Sequence, residues 1–377
     1  MACNYIYIDD TFKDIEKGTI NGLENGGEIK IDFLKPNTWE ELLNILMGKL
    51  QTSNGLLLDL RLGEIPFEGE KRAEYKGSTL AQELRTRIKE KKIISFDFPI
   101  VLISGDAYIK ESLDKTSCDL FDAIIEKEKL GNEIQYSDFK KQLISLATGY
   151  QELNRIENII EKVLNIGDTS FIDIRVLDAY KKIEAEPKHI IARFLLKDLL
   201  AKPSFLIDEN FLSARLGVNQ KSEDWSTLKN KILEHTKYTG VFSDFYIRWW
   251  MPLLEMWWQK EISDKVFLRN SSAKQRVELL SEKLKLKLIP VEKTEKSKSD
   301  CFWTVCKATL KPIDTIDGFV IANQDDLYPW QEKEYVCVDE ALRPTKIDSW
   351  KGVAALEKNR LQKLKELYSK TEQRIKK

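Results

Sequence analysis

The sequence predicts an α/β fold: an N-terminal doubly wound, five-stranded parallel sheet, followed by a mainly α-helical C-terminal half with a small β segment. Three observations carry this. Strand-like and helix-like segments alternate through the first 130 residues. Gly55-Leu-Leu-Leu-Asp-Leu-Arg61 holds an unbroken apolar run too short for a helix, as a strand buried on both faces requires. From Ser137 onward the apolar residues recur at spacings of three and four.

Asn4–Ile8 reads as the first strand and ends at Asp9-Asp10. Phe12, Ile15, Ile20 and Leu23 give the first helix, closed by Asn25-Gly-Gly. Glu28–Phe33 alternates with period two, as a strand with one wetter face does. Thr38-Trp-Glu-Glu has the spacing of a capping box and opens a helix to about Lys49. Strand three is the Gly55 stretch, ending at Asp59. A long polar loop, Leu62 to Gly77, precedes a helix over Thr79–Lys92 that Ser78 is placed to cap. Phe98–Ser104 is strand four, Ala107–Lys115 a fourth helix, and Phe121–Lys127 a short strand five.

The expected organisation is a first domain over 1–136, a long connecting helix over 137–166, a helical domain over 167–290, a β-containing segment over 301–350 and an amphipathic helix over 351–377. The connecting helix carries Phe139, Leu143, Leu146, Tyr150, Leu153, Ile156, Ile160 and Val163, a face that packs within the chain or on a second copy as a homodimer. Gly149 is its weak point. Lys283–Leu288 alternates lysine and leucine like an edge strand, and Glu292–Ser299 reads as a solvated linker.

A length of 377 residues suits two or three domains. With 60 Lys+Arg against 61 Asp+Glu the net charge is -1, so nothing global attracts nucleic acid or anionic membrane. The N-terminus has no signal-peptide pattern, and no stretch reaches the roughly 18 apolar residues of a membrane span. A cytoplasmic location is the expectation. The five cysteines, Cys3, Cys118, Cys301, Cys306 and Cys337, are scattered as in a reducing compartment. Without a nearby histidine, Cys301, Cys306 and Cys337 lack a fourth soft zinc ligand and read as small buried thiols.

In a parallel sheet the strand ends converge on one edge. Here Asp9 and Asp10 end strand one, Asp59 ends strand three, Ser104 ends strand four and Lys127 ends strand five. Clustered carboxylates repel one another unless a cation neutralises them, and Mg²⁺ prefers oxygen ligands. Beside Mg²⁺ and the Lys127 ammonium, Asp59 could attack a phosphoryl group and hold it as an acyl phosphate, with Ser104 binding the new oxygens. Taken alone, Lys127 also fits plain surface charge, since it lies in a Glu-Lys-Glu-Lys run.

This order of residues resembles the receiver domain of bacterial two-component response regulators, over about residues 1–165. The resemblance implies a receiver/flavodoxin-like fold and a histidine kinase as phosphoryl donor. It implies that Asp9 and Asp10 hold Mg²⁺, that Arg61 offers the metal a backbone carbonyl, and that Asp59 is the phosphoacceptor. Ser104 then serves as the switch hydroxyl and Lys127 as the phosphoryl contact. Three departures stand out: Glu128 in place of the usual proline, Ile124 at the aromatic switch position, and the longer Leu62–Gly77 loop. Haloacid-dehalogenase-type phosphatases use similar groups, but their nucleophile lies on the first strand and their acidic pair comes last.

The C-terminal half shows no Ser-His-Asp pattern, Walker loop or His-x-Glu zinc motif, so the reading is a phosphoacceptor switch acting on a downstream protein. Phe211–Asn219 with Trp225–Ile232 has the outline of a helix-turn-helix, although Glu223-Asp224 would face phosphates. Arg248-Trp-Trp-Met-Pro-Leu-Leu-Glu-Met-Trp-Trp reads as core, or as a stacking platform in which Trp250 and Trp257 share a helix face. A phosphorylation-independent binding or scaffold protein acting through this Trp-rich half, and a DNA-binding regulator, are the alternative readings. The overall architecture also resembles receiver proteins of anti-phage defensive two-component systems (Detocs-like).

Overall fold

The computed structural model describes residues 2–11, 14–90, 96–105, 115–130, 133–343 and 350–375. The chain forms two compact units. The first comprises Met1–Gly167, Ala179–Lys197 and Gly240–Phe245; the second comprises Asp168–Asp178, Asp198–Thr239 and Tyr246–Lys377.

In the first unit five strands form one parallel sheet: β1 (Cys3–Ile8), β2 (Ile29–Leu34), β3 (Gly55–Leu58), β4 (Ile100–Ser104) and β5 (Ala123–Glu126). Their order is β2-β1-β3-β4-β5. This is the doubly wound, flavodoxin-like order, and its topological switch point lies between β1 and β3. Alternation along the strands sends side chains to two cores. Ile6, Ile8, Leu56, Leu58, Ile100 and Leu102 meet α2 (Trp39–Leu50) and α3 (Gly77–Lys89) through Leu43, Leu46, Leu80 and Leu84. Tyr5 lies on the opposite face, where its hydroxyl donates to the Leu143 carbonyl of the long helix. The helix α1 (Asp14–Glu24) runs between β1 and β2, and α4 (Lys115–Cys118) precedes β5. Residues 106–114, on which the predicted fourth helix falls, lie outside the described residues.

Several boundaries differ from expectation for identifiable reasons. Thr38 occupies the N-cap of α2, but its hydroxyl donates to the Glu41 carboxylate (3.0 Å) and its N–H to the Asn37 side chain (2.7 Å), so neither backbone bond of the capping box forms. The helix α3 begins at Gly77 with Lys76 as its N-cap, which puts Ser78 inside the first turn. Lys127 belongs to a 3₁₀ turn, Lys127–Lys129, that closes β5. The rod predicted over 137–166 is two helices, α5 (Glu133–Arg155) and a five-residue helix Ile160–Leu164. The apolar face of α5 is spent within its own unit, with Phe139, Leu143, Leu146, Tyr150 and Leu153 buried. Gly149 is not merely tolerated there. A Cβ on it would stand 2.3 Å from the Phe242 ring, so only glycine admits that contact.

The second unit holds two main cores, one mainly helical and one built on small antiparallel strand pairs and the C-terminal helix Lys358–Ile375. Among the described residues no helix is long and apolar enough to cross a membrane. Three expectations fail here. Trp249 and Trp250 form a two-residue strand against Leu206–Ile207, and the helix starts only at Met251, so Trp250 shares no helix face with Trp257. Trp249, Trp250 and Trp258 are 1% exposed and Trp257 8%, so the segment is core and offers no platform for stacking. Trp250 instead meets Phe171, Phe205 and Tyr238.

The helix-turn-helix outline also dissolves. Asp208 caps a helix over Glu209–Leu216, but Trp225–Thr227 is one short turn continued by a π turn. Trp225 and Leu228 are buried in the core, leaving no helix of useful length for a groove. Lys283–Leu288 forms no strand: the helix Ala273–Leu284 ends with Lys285 at φ 57°. Leu284, Leu286 and Leu288 then pack on the core while Lys287 pairs with Glu223. Cys306 and Cys337 are buried thiols in contact with each other, and the Cys337 N–H also donates to the Cys306 sulfur at 3.2 Å.

Candidate functional site

The C-terminal ends of β1 and β3 are neighbours, and the residues just beyond them are carboxylates. The Asp59 N–H donates to the Ile8 carbonyl (2.9 Å), which extends the β1–β3 ladder by one bond and fixes Asp59 beside Asp9. The turn after β3 folds the Arg61 N–H back onto the Asp59 carboxylate at 2.7 Å. Gly77 makes room for this turn: a Cβ there would meet the Asp59 carbonyl oxygen at 2.1 Å. Asp9, Asp10 and Asp59 are 1%, 7% and 7% exposed, so three acids share a poorly hydrated edge.

Lys127 reaches into this edge from the end of β5, two strands away from β3. Its ammonium lies 2.5 Å from Asp9 and 3.4 Å from Asp59, bridging the two. Asp9 also accepts from the Tyr7 hydroxyl (2.7 Å) and the Thr11 N–H (2.9 Å). Asp10 points elsewhere, accepting from the Thr11 hydroxyl at 3.1 Å and from the N–H groups of Glu64 (2.6 Å) and Ile65 (2.9 Å). Ser104 closes β4, buried and in register with Glu126. Since Leu58 pairs with Leu102, Ser104 stands one residue further along the edge than Asp59.

One cation does not balance three buried acids. Burial and the charge of Asp9 push the Asp59 carboxyl up to about 7, against the opposing pull of Lys127 and the Arg61 N–H. The donors are hard oxygens of the kind a divalent cation such as Mg²⁺ takes, and the excess negative charge is what such an ion relieves. As arranged, however, Lys127 holds Asp9 and Asp59 while backbone amides hold Asp10. No three metal-ligating groups stand together among the described residues.

Of the residues singled out from sequence, Asp9, Asp59, Lys127 and the Arg61 backbone are thus brought together, with Asp10 alongside but turned to the loop. Sequence reasoning missed Tyr7, Thr11 and the two loop amides. Tyr7 was findable: two residues before Asp9 on a strand, it must share Asp9's face. The amides were not, because every residue carries one.

No family model and no curated protein matches the chain. Among solved structures, the chain is similar to a response regulator receiver domain protein from Clostridium thermocellum, at 11% identity, covering 38% of this chain and 98% of that one, with a TM-score of 0.25. It is similar to the Salmonella typhimurium response regulator RcsB at 16% identity, over 51% of this chain and 92% of that one, with a TM-score of 0.25. For the Legionella pneumophila response regulator LqsR the identity is 14%, the coverage 63% and 76%, and the TM-score 0.26. Likeness at this level assigns no family, and the functional reading rests on the site's own residues.

Proposed function

We propose that this chain is a cytoplasmic response regulator that accepts a phosphoryl group on Asp59 from a phosphohistidine of a histidine kinase. The observation that carries the reading is the Lys127 ammonium bridging Asp9 and Asp59 at the switch point of a parallel sheet in the order β2-β1-β3-β4-β5. Asp59 supplies the attacking carboxylate oxygen. The phosphorus–nitrogen bond of the phosphohistidine breaks, an acyl phosphate forms, and the imidazole takes up a proton.

Asp9, Asp10 and Asp59 would hold Mg²⁺, which supplies charge neutralisation for the transferring phosphoryl oxygens. Lys127 stabilises the same charge from the β5 side, and the Arg61 N–H orients the nucleophile. Ser104, at the next strand end, is placed to bind the new phosphoryl oxygens and bias a conformational change. The second unit, with its own cores, would carry the output to a downstream protein, and a role in anti-phage defence is part of this proposal.

The test is direct. With Mg²⁺ and acetyl phosphate, the intact protein gains the mass of one phosphoryl group, mapped to Asp59, and Asp59→Asn gains none. A phosphoryl group on another residue, or none, overturns the reading. Challenge with phage of cells carrying wild type or Asp59→Asn tests the defence role separately.

A further inference from the structure

We infer that the loop between β3 and α3 is an internal competitor for the cation at Asp10, so that cation binding and the position of this loop are coupled. The inference rests on the reading that the acidic edge takes a divalent cation, and goes beyond it by naming what must let go. One oxygen of Asp10, Oδ2, accepts both the Glu64 N–H (2.6 Å) and the Ile65 N–H (2.9 Å). The other oxygen, Oδ1, accepts the Thr11 hydroxyl at 3.1 Å, so a cation would have to displace or share donors at either oxygen, the two amides at Oδ2 being the shorter bonds. The loop therefore gains what the cation would lose, which makes the linkage reciprocal.

The loop is built so that its tip can respond while its base stays. Leu62 and Ala73 are in the core, and Gly63 lies so close to the Ala73 carbonyl that a Cβ would stand 2.2 Å from it. Arg61 and Lys76 are bridged, closing the base. The tip closes on itself through the Phe67 N–H to the Lys71 carbonyl and an exposed Glu68–Lys71 ion pair, and is tied at Glu64 by the Arg72 guanidinium on the Glu64 carbonyl (2.9 Å) and an Arg61–Glu64 ion pair more than half exposed. The same loop carries Phe67 and Tyr75, which wall a cleft together with Trp39; the Tyr75 and Trp39 rings meet edge to face at 5.0 Å. Release of Glu64 and Ile65 would thus reach a surface that a partner can read, and the loop's length gains a purpose.

The experiment uses the full chain and Mg²⁺ alone. Hydrogen exchange over residues 62–77 is followed with and without Mg²⁺, and affinity is measured by calorimetry. The expected result is faster exchange at Glu64 and Ile65 on binding. Ile65→Pro removes one of the two donors and suits a residue before Pro66, which is already confined to extended backbone. Arg72→Ala, at an exposed side chain, loosens the tip without touching the site. Each variant should bind Mg²⁺ about 3- to 10-fold more tightly, the effect of one lost competing hydrogen bond. If Mg²⁺ binds wild type but exchange at the tip is unchanged and both variants bind equally well, the coupling is wrong and the cation site stands. If neither wild type nor variants bind Mg²⁺, the cation reading itself falls, and the coupling with it. Binding by the variants alone would support the coupling most strongly.

Discussion

The two ends of the parallel sheet in the first unit bury the same kinds of residue to opposite effect. At the N-terminal edge, Arg85 donates to Asp97 and to Asp122, both at 2.8 Å. Tyr150 donates to Asp122 (2.7 Å), and the His189 Nδ1–H donates to Asp97 (2.6 Å). At the C-terminal edge, Lys127 faces Asp9 and Asp59 while Tyr7 donates to Asp9. Each edge thus has a cation, two nearby carboxylates and a tyrosine. At the first edge, burial would raise Asp97, but Arg85 and then His189 outweigh it and hold the carboxyl below its ordinary range. At the second, burial and Asp9 win, and Asp59 rises to about 7. The difference is supply: Arg85 fills its fork with both acids and the Phe98 carbonyl, whereas the single Lys127 ammonium is shared unequally and Asp10 adds a third carboxylate. The first network gives each acid a well-placed donor; the second leaves Asp59 short of compensation.

Breaking the balanced edge should cost most. Arg85→Met leaves two buried carboxylates without their partner, and the expected loss is roughly 3–5 kcal/mol in urea unfolding. A loss below that of an ordinary surface change would mean that the network contributes nothing.

Next comes Asp59→Asn, with the opposite sign. The folded protein binds the Asp59 proton more tightly than the unfolded chain, so wild type loses stability as pH rises from about 4 to about 7. Without divalent cation, the variant should be more stable by roughly 2–4 kcal/mol above pH 7 and equal to wild type below pH 4. Asp97 runs the other way, its contribution being lost as pH falls from about 4 downwards. Thermal unfolding of both proteins across that range checks the crossing. Equal stability of variant and wild type at pH 8 would remove the claim that Asp59 is strained.

Gly77→Ala drives a methyl group into the Asp59 carbonyl and should cost about 1–3 kcal/mol. Because it displaces the backbone that aims Asp59, it should also slow phosphorylation by acetyl phosphate; stability lost with an unchanged rate would place the glycine outside the site. The two tyrosines compare the edges directly, and the smaller effect is at Tyr7. Tyr150→Phe should cost on the order of 1–3 kcal/mol, since it strips a donor from Oδ1 of the buried Asp122, while Arg85 and the Ile100 N–H are on Oδ2. Tyr7→Phe should cost about 1 kcal/mol or less, because the oxygen of Asp9 that it binds, Oδ2, keeps Lys127. Equal costs at both edges would erase the contrast.

Much of the C-terminal edge was legible in the sequence because strands are local and their ends are marked. Leu56–Leu58 announces a buried strand, and the residue after it is Asp59; the same logic finds Asp9, Asp10, Ser104 and Lys127. The N-terminal edge was not legible at all. Asp97 and His189 are 92 residues apart, and nothing near either in sequence points to the other. The core reading of the tryptophans at 249–258 holds, but local pattern misled at Lys283–Leu288, where an alternation like that of an edge strand instead lays Leu284, Leu286 and Leu288 on a core.

The sequence by itself determined the strands, their polar ends and therefore the kinds of group gathered at one edge, because alternation and apolar runs are properties of neighbouring residues. Only the tertiary structure decided how those groups share charge. The bridging of two acids by Lys127, the rise of Asp59 and the capture of Asp10 by two loop amides depend on distances between segments 50 to 118 residues apart. Electrostatic energy in a buried site is set by those distances and by the exclusion of water, and neither is written in any one stretch of chain.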